Sequence, residues 1–174
     1  MKKRIITVLV LSMVFICLIM PVHATTIDEV EITASDIRRI ARTLYGECRS
    51  DDVPIAEKAA VVWCILNRVD SPDFPNSIRK VVVHSQFHGY KASYPVLPEL
   101  KEIVEDVVER WKLEKQGFED VGRTLPNDYY FFAADKSDHG NDFRKEYKSK
   151  ELWDWSLPDP YTINENIEVM QYDR

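Results

Sequence analysis

The 174-residue chain is poor in glycine, with 5 Gly against 9 Pro, and it holds only 3 Cys. So little glycine excludes collagen-like and glycine-rich low-complexity chains. Three cysteines exclude a small scaffold stapled by many disulfides. Positive charge is in short supply too: 23 Lys+Arg face 29 Asp+Glu, a net of −6. That balance argues against non-specific nucleic-acid binding, which needs a basic face, so no nucleic-acid partner is expected. Long apolar runs are missing except for one at the start. What remains is 45% hydrophobic and 30% charged, an ordinary globular composition at a length that suits one domain.

The single apolar run, Ile5 to Met20, follows the basic head Lys2-Lys3-Arg4 and ends at Pro21. Val22 and Ala24 then supply small residues at the −3 and −1 positions of a cleavage site. This is the layout of a secretory signal peptide over residues 1–24. The run is short for a spanning helix, which needs roughly 20 residues; an uncleaved anchor is the alternative reading. Cleavage after Ala24 removes three basic residues and Cys17, leaving 20 Lys+Arg against 29 Asp+Glu, a net of −9. The expected mature protein is a secreted, extracytoplasmic, acidic monomer. It has a short linker at 25–34, one domain over 35–174 and no stable membrane span.

The mature chain reads as α+β, mainly α. Ser35 is placed to cap a helix from about Asp36 to Cys48, with Ile37, Ile40, Ala41, Leu44 and Cys48 at helical spacing. Pro54 suits the first position of a second helix running to about Asn67. That helix is apolar nearly all round after its first turn and belongs in a core. Asn76 can cap a short helix through Ile78 to Val83, although Val81-Val82-Val83 also suits a strand. Pro98 opens the clearest helix, whose stripe is Leu100, Ile103, Val104, Val107, Val108 and Trp111, and Gly117 ends it. Asp128 to Phe132 reads as a buried strand or extended segment. Trp153 and Trp155 alternate and either latch the tail or line a cleft. Cys48 and Cys64 lie on helices expected to pack together, either bonded or buried as thiols.

Glu47 is the first candidate for chemistry. It lies three residues after Leu44 and seven after Ile40, close to the apolar stripe of its helix. A carboxyl group at a helix end, beside apolar neighbours, is a setting that general acids use. The structural alternative is an ion pair with Arg49 or Arg68. Glu57 is a possible second carboxylate, with a solvated, dipole-stabilising role as the alternative. Asp51 and Asp52 read as loop or cap residues. Gln86 and Asn141 fall in irregular, aromatic-rich segments and are candidate ligand-binding amides. Tyr90 and Tyr130 are candidates for stacking or hydrogen bonding to the same ligand, with local loop bracing as the alternative for all four. His84 and His88 have the spacing of a zinc-binding helix motif, but Ser85 stands where that motif has its Glu. No metal and no cofactor are expected.

The stretch Tyr45-Gly46-Glu47-Cys48-Arg49 resembles the YGEAR signature of the SleB-type cell-wall hydrolases, the spore-cortex-lytic and prophage-associated enzymes. The resemblance continues in order through Ala59-Ala60-Val61-Val62, Leu66-Asn67-Arg68-Val69, Phe74-Pro75-Asn76-Ser77-Ile78 and Gln86-Phe87-His88-Gly89-Tyr90. It ends with Asn141-Asp142-Phe143-Arg144 and Trp153-Asp154-Trp155-Ser156. It implies a lysozyme-like fold with a small β element, and peptidoglycan glycan strands as substrate. The implied reaction is cleavage between N-acetylmuramic acid and N-acetylglucosamine, as a lytic transglycosylase or a hydrolytic muramidase. Glu47 takes the place of the family's catalytic acid. Cys48 departs from the usual Ala, Ser50-Asp51-Asp52 from the usual Gly-Glu-Pro, and Ala133-Ala134-Asp135 from a more glycine-rich stretch. These departures put loop shape and substrate contacts in question, not the acid. Two other classes stay open at this point: a zinc-dependent wall amidase or peptidase, and a non-catalytic wall-binding domain.

Overall fold

The structure, a computed structural model, describes residues 31–83, 87–134 and 141–156. The expected export signal, most of the linker, His84 and Gln86 lie outside these. In chain order the elements are α1 (Ala34–Cys48), α2 (Ile55–Asp70), α3 (Ile78–Val83), α4 (Pro98–Lys115), β1 (Phe131–Ala134) and β2 (Asn141–Arg144). The mainly-α class with a small sheet is what forms.

Thr33, not Ser35, caps α1. Asp36 N–H donates to the Thr33 hydroxyl and the Asp36 carboxylate accepts from Thr33 N–H, each at 3.2 Å. This reciprocal capping box satisfies two backbone donors that the first helical turn leaves open. A cap at Ser35 forgoes this exchange, so the helix starts two residues earlier than periodicity suggests. α4 ends as expected. Gly117 has φ of 90°, Gly117 N–H donates to Glu114 O at 3.0 Å, and Phe118 N–H donates to Leu113 O at 3.1 Å. Such a closure needs a left-handed residue, and glycine adopts that conformation without a Cβ clash.

α2 is the central element. Every residue from Glu57 to Val69 is buried, and α1, α3, α4 and β1 all pack against it. It runs past Asn67 to Asp70 because Asn67 and Arg68 have partners inside the fold. Asn67 Nδ2 donates to Pro126 O at 2.8 Å and Tyr129 O at 2.9 Å. Arg68 Nε donates to Tyr130 O at 2.6 Å. Buried carbonyls outside regular structure need such donors. Trp63 and Trp111 are core residues, as their helix faces indicate. Residues 78–83 are a helix and not a strand, with Ile78, Val81 and Val82 facing inward.

The two strands are antiparallel, with Phe132 opposite Phe143 and Ala134 opposite Asn141. The strand begins at Phe131, three residues later than expected, because Pro126 to Tyr130 is held by α2 instead. Its partner β2 was not anticipated from the tail's mixed composition. Trp153 N–H donates to Phe143 O at 2.9 Å. Its ring meets Tyr129 at 5.4 Å, and Trp155 meets Phe143 at 5.7 Å. The two tryptophans therefore latch the tail onto the hairpin.

Candidate active site

Glu47 stands in the last turn of α1, half-buried. Its Oε1 accepts a hydrogen bond from Gly89 N–H at 2.7 Å. Among the described residues it forms no ion pair with Arg49 or Arg68, so the structural alternative for Glu47 is not realised. The loop that carries Gly89 is also held one turn earlier on α1, where Arg42 Nε donates to Tyr94 O at 2.9 Å. The Tyr45 and Tyr94 rings meet at 5.0 Å beside that bond.

Two of the chain's few glycines make this contact possible. A Cβ on Gly46 would lie 1.8 Å from Gly89 O, and a Cβ on Gly89 would lie 2.6 Å from the Glu47 carboxyl carbon. Helix backbone and loop backbone touch with no side chain between them. A glycine inside a helix costs up to about 1 kcal/mol relative to Ala. In a glycine-poor chain that cost is the one signal in the sequence that marks Gly46 as a point of close approach.

Glu57 and Asn141 are 84 positions apart in sequence and meet in the structure. Asn141 Nδ2 donates to Glu57 Oε1 at 2.6 Å, and both residues are buried. The solvated reading of Glu57 is thus wrong. Position N3 of a helix usually serves a capping box, but the cap here is Pro54, which has no N–H to offer. The carboxylate turns inward to the hairpin instead.

Cys48 follows Glu47 at the end of α1 and is buried. Burial pushes its thiol up to about 12; the charges of Glu57 and Glu47 add to this and Lys58 opposes it. Cys48 and Cys64 are both free. Cys64 is pushed up to about 12, again chiefly by burial.

The tyrosines are engaged in packing. Tyr130 lies 5.5 Å from Phe74, and Tyr90 packs partly against the core. Sequence pattern offers Arg68 no role beyond a pairing with Glu47, and offers Asn67 none. The Arg68 guanidinium lies 4.7 Å from the Phe87 ring, 5.2 Å from Phe131 and 5.3 Å from Phe74, and burial lowers its pKa. Arg68 joins the Gly89 loop to β1 through its aromatic neighbours. Among the described residues no three His, Cys, Asp or Glu gather as a metal site would need, and no helix is long and apolar enough to cross a membrane.

Comparison with known proteins places the chain in a family. The spore cortex-lytic enzyme of Bacillus subtilis (strain 168) is 44% identical over 48 residues, 28% of this chain and 15% of that protein's length. The catalytic domain of the Bacillus cereus SleB protein aligns with a TM-score of 0.45 at 25% identity, covering 62% of this chain and 76% of that one. A sequence model described as Cell Wall Hydrolase matches residues 53–151, a span that takes in Glu57, Gly89 and Asn141 and begins after Glu47. With more than half of its length matched in this way, the chain belongs to the cell wall hydrolase family.

Proposed function

We propose that the protein is an exported peptidoglycan-degrading enzyme that cuts the bond between N-acetylmuramic acid and N-acetylglucosamine as a lytic transglycosylase, with Glu47 as its single acid and base. The observation that carries this reading is the Glu47 carboxyl group. It sits half-buried at the end of α1, with one oxygen tied to Gly89 N–H and the other not bonded within the described fold. Family membership supports a wall substrate, and the name of the Bacillus subtilis relative, a spore cortex-lytic enzyme, points the same way. A mainly helical body with one small antiparallel hairpin also suits the lysozyme-like fold that the YGE resemblance implies.

The chemistry needs one carboxyl group used twice. Protonated Glu47 gives its proton to the glycosidic oxygen as the bond to C1 breaks. The resulting carboxylate takes the proton of the muramoyl C6 hydroxyl as that oxygen attacks C1. The product is a 1,6-anhydro sugar, no water is consumed, and Glu47 ends protonated as it began. General acid–base work of this kind contributes about 10²- to 10⁴-fold.

A hydrolytic muramidase is the second reading. It needs a second carboxylate about 5 Å from the first for retention, or roughly 6.5–9.5 Å for inversion. Glu57 is the candidate, and its place in the first turn of the helix that follows and packs against α1 favours that reading; its bond to Asn141 counts against it. Asn141, Gln86, Tyr90 and Tyr130 remain the proposed glycan contacts.

The test is Glu47→Gln on purified walls. Its side-chain oxygen still accepts from Gly89 N–H, so the variant is expected to fold normally and lose muropeptide release by at least 10²-fold. Mass analysis of wild-type products separates anhydro-ended from reducing-ended fragments. Full activity in Glu47→Gln ends the proposal, and reducing ends alone replace it with the hydrolytic one.

A further inference from the structure

We infer that Glu57 is a positioning residue that fixes the orientation of Asn141, so that the hairpin offers an amide carbonyl to the N–H of an N-acetyl group on the glycan. The inference rests on the glycan-cleaving reading above and assigns Glu57 a task in presenting Asn141 to the glycan.

The geometry is specific. A carboxylate only accepts hydrogen bonds, while an asparagine amide both donates and accepts. Because Asn141 faces Glu57 at 2.6 Å, its NH₂ group must point at the carboxylate and its carbonyl oxygen must point away. An unconstrained asparagine flips between the two orientations, and Glu57 removes that choice. Asn141 opens β2 and lies opposite Ala134 in the ladder. Glu57 is buried in the first turn of α2, the helix that follows α1 in the chain and packs against it. One hydrogen bond thus ties the hairpin to the first turn of α2 and sets the polarity of the group that the hairpin presents. A fixed acceptor selects a donor, and the acetamido N–H is the donor that N-acetylated sugars carry. Pro54 makes the arrangement possible, since a cap with an N–H would compete for the same carboxylate.

The experiment compares full-length wild type, Glu57→Ala, Glu57→Gln, Asn141→Ala and the double alanine variant on purified walls. Folding is checked by circular dichroism and thermal melting. Glu57→Ala is expected to raise KM about tenfold with a smaller change in kcat, the worth of one hydrogen bond. Asn141→Ala should do the same, and the double variant should be no worse than either. Glu57→Gln, whose amide oxygen can accept the same bond, should recover most of the loss and keep the wild-type pH profile. Walls stripped of N-acetyl groups should penalise wild type more than Glu57→Ala.

If Glu57→Gln is as inactive as Glu47→Gln and loses a limb of the pH profile, Glu57 is a reacting carboxylate and the inference fails. Wild-type kinetics in a folded Glu57→Ala, or additive losses in the double variant, also overturn it. Should Glu57→Ala not fold, Asn141→Ala and Glu57→Gln carry the same comparison. A wild type that releases nothing from walls defeats the functional reading instead, which keeps the two failures apart.

Discussion

Replacing Gly46 with Ala should cost activity far more than stability. By helix propensity alone the substitution helps, since Ala is favoured over Gly by about 1 kcal/mol in a helix interior. The tertiary contact opposes it. The new Cβ would sit 1.8 Å from Gly89 O and 2.5 Å from Gly89 C, whereas ordinary contact starts at 3.4 Å. The obstacle is backbone, so no side chain can rotate away. The loop has to retreat by about 1.6 Å, the gap between those two distances, and that takes Gly89 N–H out of reach of Glu47. Overpacking of this kind costs about 1–3 kcal/mol, and the lost bond about 1 kcal/mol more. Set against the propensity gain, the net loss is about 1–3 kcal/mol, which leaves the protein folded. The catalytic cost is larger, because misplacing a reacting group by about 1 Å can cost about 10²-fold. The assay is loss of turbidity of purified walls alongside a urea titration. Gly117→Ala is the control. Its position has φ of 90° and nothing within 4 Å, so it should lose about 1–2 kcal/mol from left-handed strain with no change in rate. If Gly46→Ala keeps the wild-type rate, the close approach does not position Glu47 and the reasoning fails.

Other expectations follow from single contacts. Asn67→Ala leaves the Pro126 and Tyr129 carbonyls without their donor and removes an acceptor for Arg123; it should cost about 2–4 kcal/mol in urea unfolding. The buried thiols should resist a thiol reagent at pH 8 until the protein unfolds. Their folded pKa of about 12 lies above the ordinary thiol value of 9.0, so above pH 9 the unfolded state sheds protons that the folded state keeps. Stability should then fall by about 1.4 kcal/mol per pH unit for each thiol, and a Cys48→Ala/Cys64→Ala variant should show a shallower slope in melting scans between pH 9 and 10.5. Wall cleavage by the single-acid route should survive a chelator; loss of activity that added zinc restores would point to the amidase class instead.

Much of the helical frame was legible because it depends on local signals. The α4 stripe, Pro98 at its start and Gly117 past its end act within a few residues of chain. The all-round apolar character of α2 marked it as the core helix. Glu47 could be singled out because a motif and a helix position coincided at one residue. The misses share a cause in contacts that are distant in sequence. The cap of α1 depends on which hydroxyl meets Asp36. The hairpin register depends on where α2 releases the chain, through Asn67 and Arg68, more than fifty residues upstream. The roles of Gly89 and Arg42 need the loop to be seen against α1.

The sequence by itself determined the helix content, the core faces, the acidic balance and the YGE signature, since periodicity, composition and motif order are properties of neighbouring residues. Only the tertiary structure decided that Glu57 faces Asn141 and not solvent, that Glu47 bonds the Gly89 backbone and not an arginine, and that the cysteines stay reduced. Each of these is a choice among partners of similar chemistry. Such choices are made by which groups the packed core brings within hydrogen-bond distance, and no local pattern encodes them.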